Sequence, residues 1–67
     1  MNSFKIRGKI VENGLTQTAL ADELGLSQST LSQKINGYRP ITRLELIKLK
    51  EVLQLTDDEF IELFFID

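Results

Sequence analysis

Apolar residues recur along the chain at intervals of three and four: Ile6 with Ile10, Leu20 with Leu24, Leu31 with Ile35, Leu46 with Leu49 and Leu53, Phe60 with Phe64. That spacing returns side chains to one face of a helix, and no stretch alternates as a half-buried strand would. The breaks between these runs follow one design. Thr16, Ser27, Thr42 and Thr56 each stand directly after an apolar residue (Leu15, Leu26, Ile41, Leu55) and four residues before another (Leu20, Leu31, Leu46, Phe60). A hydroxyl at such a position accepts from backbone N–H groups that a helix start leaves unpaired, and the flanking apolar pair closes over it as a staple. Glu45 and Glu59 stand three residues after Thr42 and Thr56, where they complete capping boxes.

Helix stops match the starts. Gly14, Gly25 and Gly37 fall where the preceding helices must end, and Pro40 blocks any continuation beyond Tyr38 and Arg39. The pattern therefore predicts an all-α, five-helix chain with helices at about 3–13, 17–24, 28–36, 43–53 and 57–65. Its core is built from the paired residues above, with Leu15, Leu26, Ile41 and Leu55 plugging the corners. Ala21 is small enough to let the third helix approach the second closely.

Length and composition narrow the picture. Sixty-seven residues predict one small domain over 1–67, which buries only about 60% of the surface its unfolded chain exposes. Absence of cysteine and histidine excludes disulfides, zinc-finger spacing, thiolate nucleophiles and imidazole catalysis. No apolar run approaches the roughly 20 residues of a membrane span, so the expected setting is a soluble chain in the cytoplasm. A net charge of −2 hides a strong polarity. Residues 1–50 hold all eight Lys and Arg against Glu12, Asp22, Glu23 and Glu45, whereas 51–67 hold Glu51, Asp57, Asp58, Glu59, Glu62 and Asp67 and no base. A basic body thus carries an acidic tail.

The third helix has an unusual free face. With Leu31 and Ile35 turned inward, a rotation of about 100° per residue places Ser29 and Gln33 opposite the core. Ser32, Thr30 and Asn36 then lie on the flanks and Gln28 at the tip. Uncharged amides and hydroxyls both donate and accept, as base edges in a DNA major groove require, and Gln pairs bidentately with adenine. Gln28, Ser29, Ser32 and Gln33 are the candidate base contacts. Gln17 at the start of the second helix, with Lys34, Asn36, Tyr38, Arg39 and Arg43 beyond the third, are the candidate phosphate contacts. Lys48 and Lys50 read as solvated side chains.

Thr16-Gln17, Leu20-Ala21, Leu24-Gly25, Leu26-Ser27, Leu31 and Asn36-Gly37 together resemble the helix-turn-helix of the phage Cro and CI repressor type, a five-helix DNA-binding domain. The resemblance spans 17–36 as the motif proper and extends to the five-helix layout. It implies a phosphate contact by Gln17, base contacts by Gln28, Ser29 and Gln33, and backbone contacts by Asn36 and Arg43. The pattern departs at Lys34, where most members carry an apolar residue, and at Ile35, where many carry a polar one; a rotated or repacked last turn is the expectation there. The tail DDEFIELFFID resembles the Phe-Phe endings of some small phage proteins of this type.

That tail carries more apolar residues than one helix face can hold. Phe60, Phe64 and Phe65 are the candidate homodimer interface, since repressors of this class read half-sites about 34 Å apart through a two-fold axis. The resulting expectation is a sequence-specific double-stranded DNA-binding regulator, Cro-like or repressor-like, that occludes a promoter at a palindromic operator. The alternative is a protein-interaction module, antitoxin-like or anti-repressor, that uses the acidic aromatic tail. Catalysis is disfavoured: Asp57, Asp58 and Glu59 are accounted for as first-turn carboxylates facing a helix dipole. No cofactor, metal or small-molecule ligand is expected.

Overall fold

A computed structural model describes residues 1–66. Its helices are α1 (Ser3–Glu12), α2 (Gln17–Leu24), α3 (Gln28–Ile35), α4 (Arg43–Val52) and α5 (Asp57–Phe64), with no strand among the described residues. Asp67, counted above with the acidic tail, lies outside them. No described helix is long and apolar enough to cross a membrane.

All five predicted starts agree with the observed ones, and for the last four the signal is carried by a side chain at the start itself. Thr16, Ser27, Thr42 and Thr56 each accept from the backbone N–H three residues on, and both capping boxes are complete. α1 has a cap that the Ser and Thr pattern did not reveal: Asn2 Oδ1 accepts from the Lys5 backbone N–H at 3.1 Å. Four ends fall one residue earlier than predicted, since Asn13, Asn36, Leu53 and Phe65 act as C-caps rather than helical residues.

One closure recurs at the first four helix ends. The N–H of Leu26 reaches Ala21 O at 2.9 Å and that of Gly25 reaches Asp22 O at 3.1 Å, the paired bonds of a Schellman motif around a left-handed residue. Leu15, Tyr38 and Leu55 repeat the longer bond to Ile10, Gln33 and Lys50. In three of these turns the left-handed residue is glycine; in the fourth it is Gln54, at φ 53°. Three connectors share the same form, a left-handed residue, a leucine, then a Thr or Ser cap: Gly14-Leu15-Thr16, Gly25-Leu26-Ser27 and Gln54-Leu55-Thr56.

The core gathers Ile6 and Ile10 from α1, Leu20 and Ala21 from α2, Leu31 and Ile35 from α3, Leu49, Leu53 and Leu55 from α4 and its connector, and Leu63 and Phe64 from α5. Leu15, Leu24, Leu26, Ile41, Leu46 and Phe60 pack around it half-buried. Leu63 is the core residue that helical spacing did not single out. α2 packs on α3 and α4, while α5 lies against α1. Two hydrogen bonds pin α1 at its ends. The Asn2 N–H donates to Leu63 O at 2.9 Å, and Asn13 Nδ2 donates to Leu53 O at 3.0 Å. Each supplies a donor to a carbonyl that a helix end leaves unpaired.

Candidate nucleic-acid interface

α3 is held in a fixed rotation by Leu31 and Ile35, which are both fully buried. Its opposite face is left to solvent, with Gln28 and Ser29 exposed and Ser32 and Gln33 half-buried. The side chains of Gln28, Ser29 and Gln33 engage no hydrogen bond among the described residues. Thr30 differs, because its hydroxyl accepts from the Ser27 hydroxyl at 2.9 Å and is occupied by the cap. Asn36 Nδ2 reaches Ser32 Oγ at 3.4 Å. The free face therefore carries the unspent amides and hydroxyl of Gln28, Gln33 and Ser29.

Charge pairing separates the cations into two groups. Lys5 pairs with Glu62, Lys9 with Glu59 and, at 3.4 Å, with Glu12, and Lys50 with Asp57. Lys34 pairs with Glu45 at 2.6 Å. Asp57, Glu59 and Glu62 of α5 are thus spent on α1 and on the end of α4. Arg39, Arg43, Lys48 and Arg7 have no carboxylate partner among the described residues. Arg39 and Arg43 are exposed in and just beyond the loop that leaves α3, beside Tyr38, which is 81% exposed. Lys48 borders a separate hollow with Glu23, Leu24, Leu44 and Glu45.

These pairs also set protonation. The Lys9 ammonium and the Thr56 backbone N–H hold the Glu59 carboxyl down to about 2, and Glu59 in turn raises Lys9. Lys50 lowers Asp57. Burial pushes Glu45 up, but hydrogen bonds from Lys34 and the Thr42 N–H outweigh it and the net shift is downward.

A family model described as helix-turn-helix matches residues 6–60, from the first core isoleucine into α5. The chain belongs to the helix-turn-helix family. That membership makes it a DNA-binding transcription regulator of the XRE and Cro type, with the all-α fold of lambda-repressor-like domains. No curated protein and no solved structure matches the chain.

Within the helix-turn-helix, the expected positions divide. Gln28, Ser29, Ser32 and Gln33 lie together on α3, while Tyr38, Arg39 and Arg43 follow it in one exposed run. Gln17 opens α2, half-buried. Lys34 departs from the expected outward position: beside buried Ile35 it lies toward α4, where both Glu45 oxygens accept from its ammonium at 2.6 and 2.8 Å, so its charge is answered within the chain. The last turn of α3 keeps its inward face, with Ile35 buried and Lys34 accommodated by the ion pair.

Phe64 departs as well from the expected surface position: it is 9% exposed and belongs to the core. Phe60 is half-buried, its ring 5.4 Å from Phe64 and 5.6 Å from Phe65, with the Lys50 ammonium 5.6 Å above it. Phe65 is 63% exposed, and Ile66 next to it and Ile61 four residues earlier are exposed as well. The helix-turn-helix also has a neighbour that sequence reading missed. Arg7 of α1 donates from Nη2 to Asn36 Oδ1 at 2.7 Å and borders a hollow with Thr16 and Gln17. No local pattern marks it, because only the packing of α1 brings it there.

Proposed function

We propose that this helix-turn-helix protein is a Cro-like or repressor-like phage or prophage regulator of the cytoplasm, acting through residues 1–67 as one DNA-binding unit. It occludes a promoter by occupying a palindromic operator as a homodimer. One observation supports this most: the unspent amides of α3 are followed along the chain by exposed arginines without counter-ions, while Lys5, Lys9, Lys34 and Lys50 are neutralised within the chain. In this reading Gln28, Ser29, Ser32 and Gln33 address base edges in the major groove. Gln17, Asn36, Tyr38, Arg39 and Arg43 hold the phosphates on either side and fix the register.

Exposed Phe65, Ile61 and Ile66 at the end of α5 support the homodimer, with Phe60 contributing its half-buried edge. So few phosphate contacts per domain favour two domains acting together. The same apolar group supports the second reading, an adaptor that docks a protein partner through α5. Selection from random duplexes separates them. The regulator yields an enriched palindrome with half-sites about 34 Å apart and affinity that falls steeply with salt. No enriched sequence, with weak binding indifferent to salt, overturns the regulator and leaves the adaptor.

A further inference from the structure

We propose that Arg7 is a phosphate-contacting residue of the DNA interface, held for that task by Asn36; this rests on the reading that α3 enters the groove. Four cations lack a carboxylate partner among the described residues, and Arg7 is the one contributed by α1. Its hydrogen bond goes to the neutral amide oxygen of Asn36. The bond fixes the guanidinium but leaves its charge uncompensated. A guanidinium carries five N–H donors in a planar fork suited to phosphate oxygens, so one bond to Asn36 leaves most of the fork available.

Position strengthens the assignment. Ile6 and Ile10 are buried and set the rotation of α1 about its axis. Arg7 then borders Thr16 and Gln17 at the start of α2 while touching Asn36 at the end of α3. It stands between the start of α2 and the end of α3, where a DNA backbone crossing α2 to reach the end of α3 would pass. Asn36 also reaches Ser32 on the reading helix at 3.4 Å, so the guanidinium, the helix end and the base-facing side are joined in one chain of hydrogen bonds. Lys5 and Lys9, the other cations of α1, are turned to Glu62 and Glu59 on α5 and contribute nothing on this side.

The test compares Arg7→Ala and Arg7→Lys with the unaltered protein on the selected palindrome and on an unrelated duplex, each at several salt concentrations. Arg7→Ala is expected to weaken binding to both duplexes about tenfold and to reduce the slope of log affinity against log salt by about 0.9 per domain, the signature of one lost phosphate contact. Arg7→Lys keeps the charge, so the slope is expected to stay while part of the affinity is lost with the planar fork. A purely structural role lowers the unfolding temperature without moving the slope. An unchanged slope in Arg7→Ala, or an equal loss of slope in Arg7→Lys, overturns the proposal while leaving the interface intact. Failure of the unaltered protein to bind any duplex overturns the interface, and Arg7 with it.

Discussion

Lys34 of α3 is clamped onto Glu45 of α4, with side chains only 12% and 13% exposed. The same Glu45 Oε1 accepts from the Thr42 backbone N–H at 2.9 Å, so one carboxylate closes a helix start and anchors α3 to its neighbour. This explains how α3 carries a lysine where the motif usually has an apolar side chain: the charge is answered from α4 instead of from the ligand.

Removing that lysine should therefore cost stability rather than DNA affinity. Lys34→Ala leaves a largely buried carboxylate with one partner fewer, a loss of about 2–3 kcal/mol. Urea unfolding should record the drop, while the salt slope of DNA binding by the folded protein stays unchanged. A slope reduced by about one contact would return Lys34 to the phosphate set.

The interface residues should separate by kind of loss. Gln33→Ala is expected to relax preference at one base-pair position by about 1–3 kcal/mol, with the salt slope intact. Arg43→Ala should weaken all duplexes alike and lower the slope by about 0.9. Binding isotherms on the operator and its single-position variants check both, and equal behaviour of the two variants would contradict the division between reading and holding.

Acid should loosen the α1 and α5 contact in a defined window. Glu59 has a folded value of about 2 against an ordinary 4.5, because Lys9 and the Thr56 N–H favour its charged form. Its contribution to stability is fully present above 4.5 and is lost as pH falls through about 2. Lys9 has the opposite sign: its contribution is full below its ordinary 10.5 and is lost as pH rises through its raised folded value. Glu59→Gln should flatten the acid limb of melting temperature against pH, and added salt should shrink the difference, since the pair is partly open to solvent.

Gln54 occupies a left-handed position, φ 53°, in the same turn where the other three helix ends place glycine. A side chain there is strained by about 1–2 kcal/mol, offset in part by the extra entropy glycine loses on folding. Gln54→Gly should therefore stabilise the fold by about 0.5–1 kcal/mol, read as a higher denaturant midpoint. An Ala substitution should bring no such gain.

Two neighbouring phenylalanines should respond in opposite ways. Phe64→Ala empties a core site and should cost about 3–5 kcal/mol. Phe65→Glu changes a residue that is 63% exposed, so the monomer should stay folded while the mass in sedimentation falls from dimer to monomer. An unchanged mass for the folded Phe65→Glu variant would remove this patch from the dimer.

Helix starts were legible because each is set by a side chain acting on backbone within three residues, as Thr16, Ser27, Thr42 and Thr56 do. Ends were legible to within one residue, since Asn13, Asn36, Leu53 and Phe65 look helical by pattern but act as caps. The outward face of α3 followed from Leu31 and Ile35 alone. α5 was harder, because apolar residues at 60, 61, 63, 64, 65 and 66 leave its rotation open. Packing against α1 chose Leu63 and Phe64 for the interior and left Phe65 outside.

By itself, the sequence determined the five helices, their order, the glycine turn between α2 and α3, and which side chains of α3 face away from the core. Those are local matters of capping, periodicity and backbone freedom. Tertiary structure alone decided where the charges go: Glu59 and Glu62 onto Lys9 and Lys5, Glu45 onto Lys34, and Arg7 onto Asn36, 29 residues away. Such pairs depend on how separate helices dock. That is set by the whole core at once, and long polar side chains then take whichever partner the docking brings within reach.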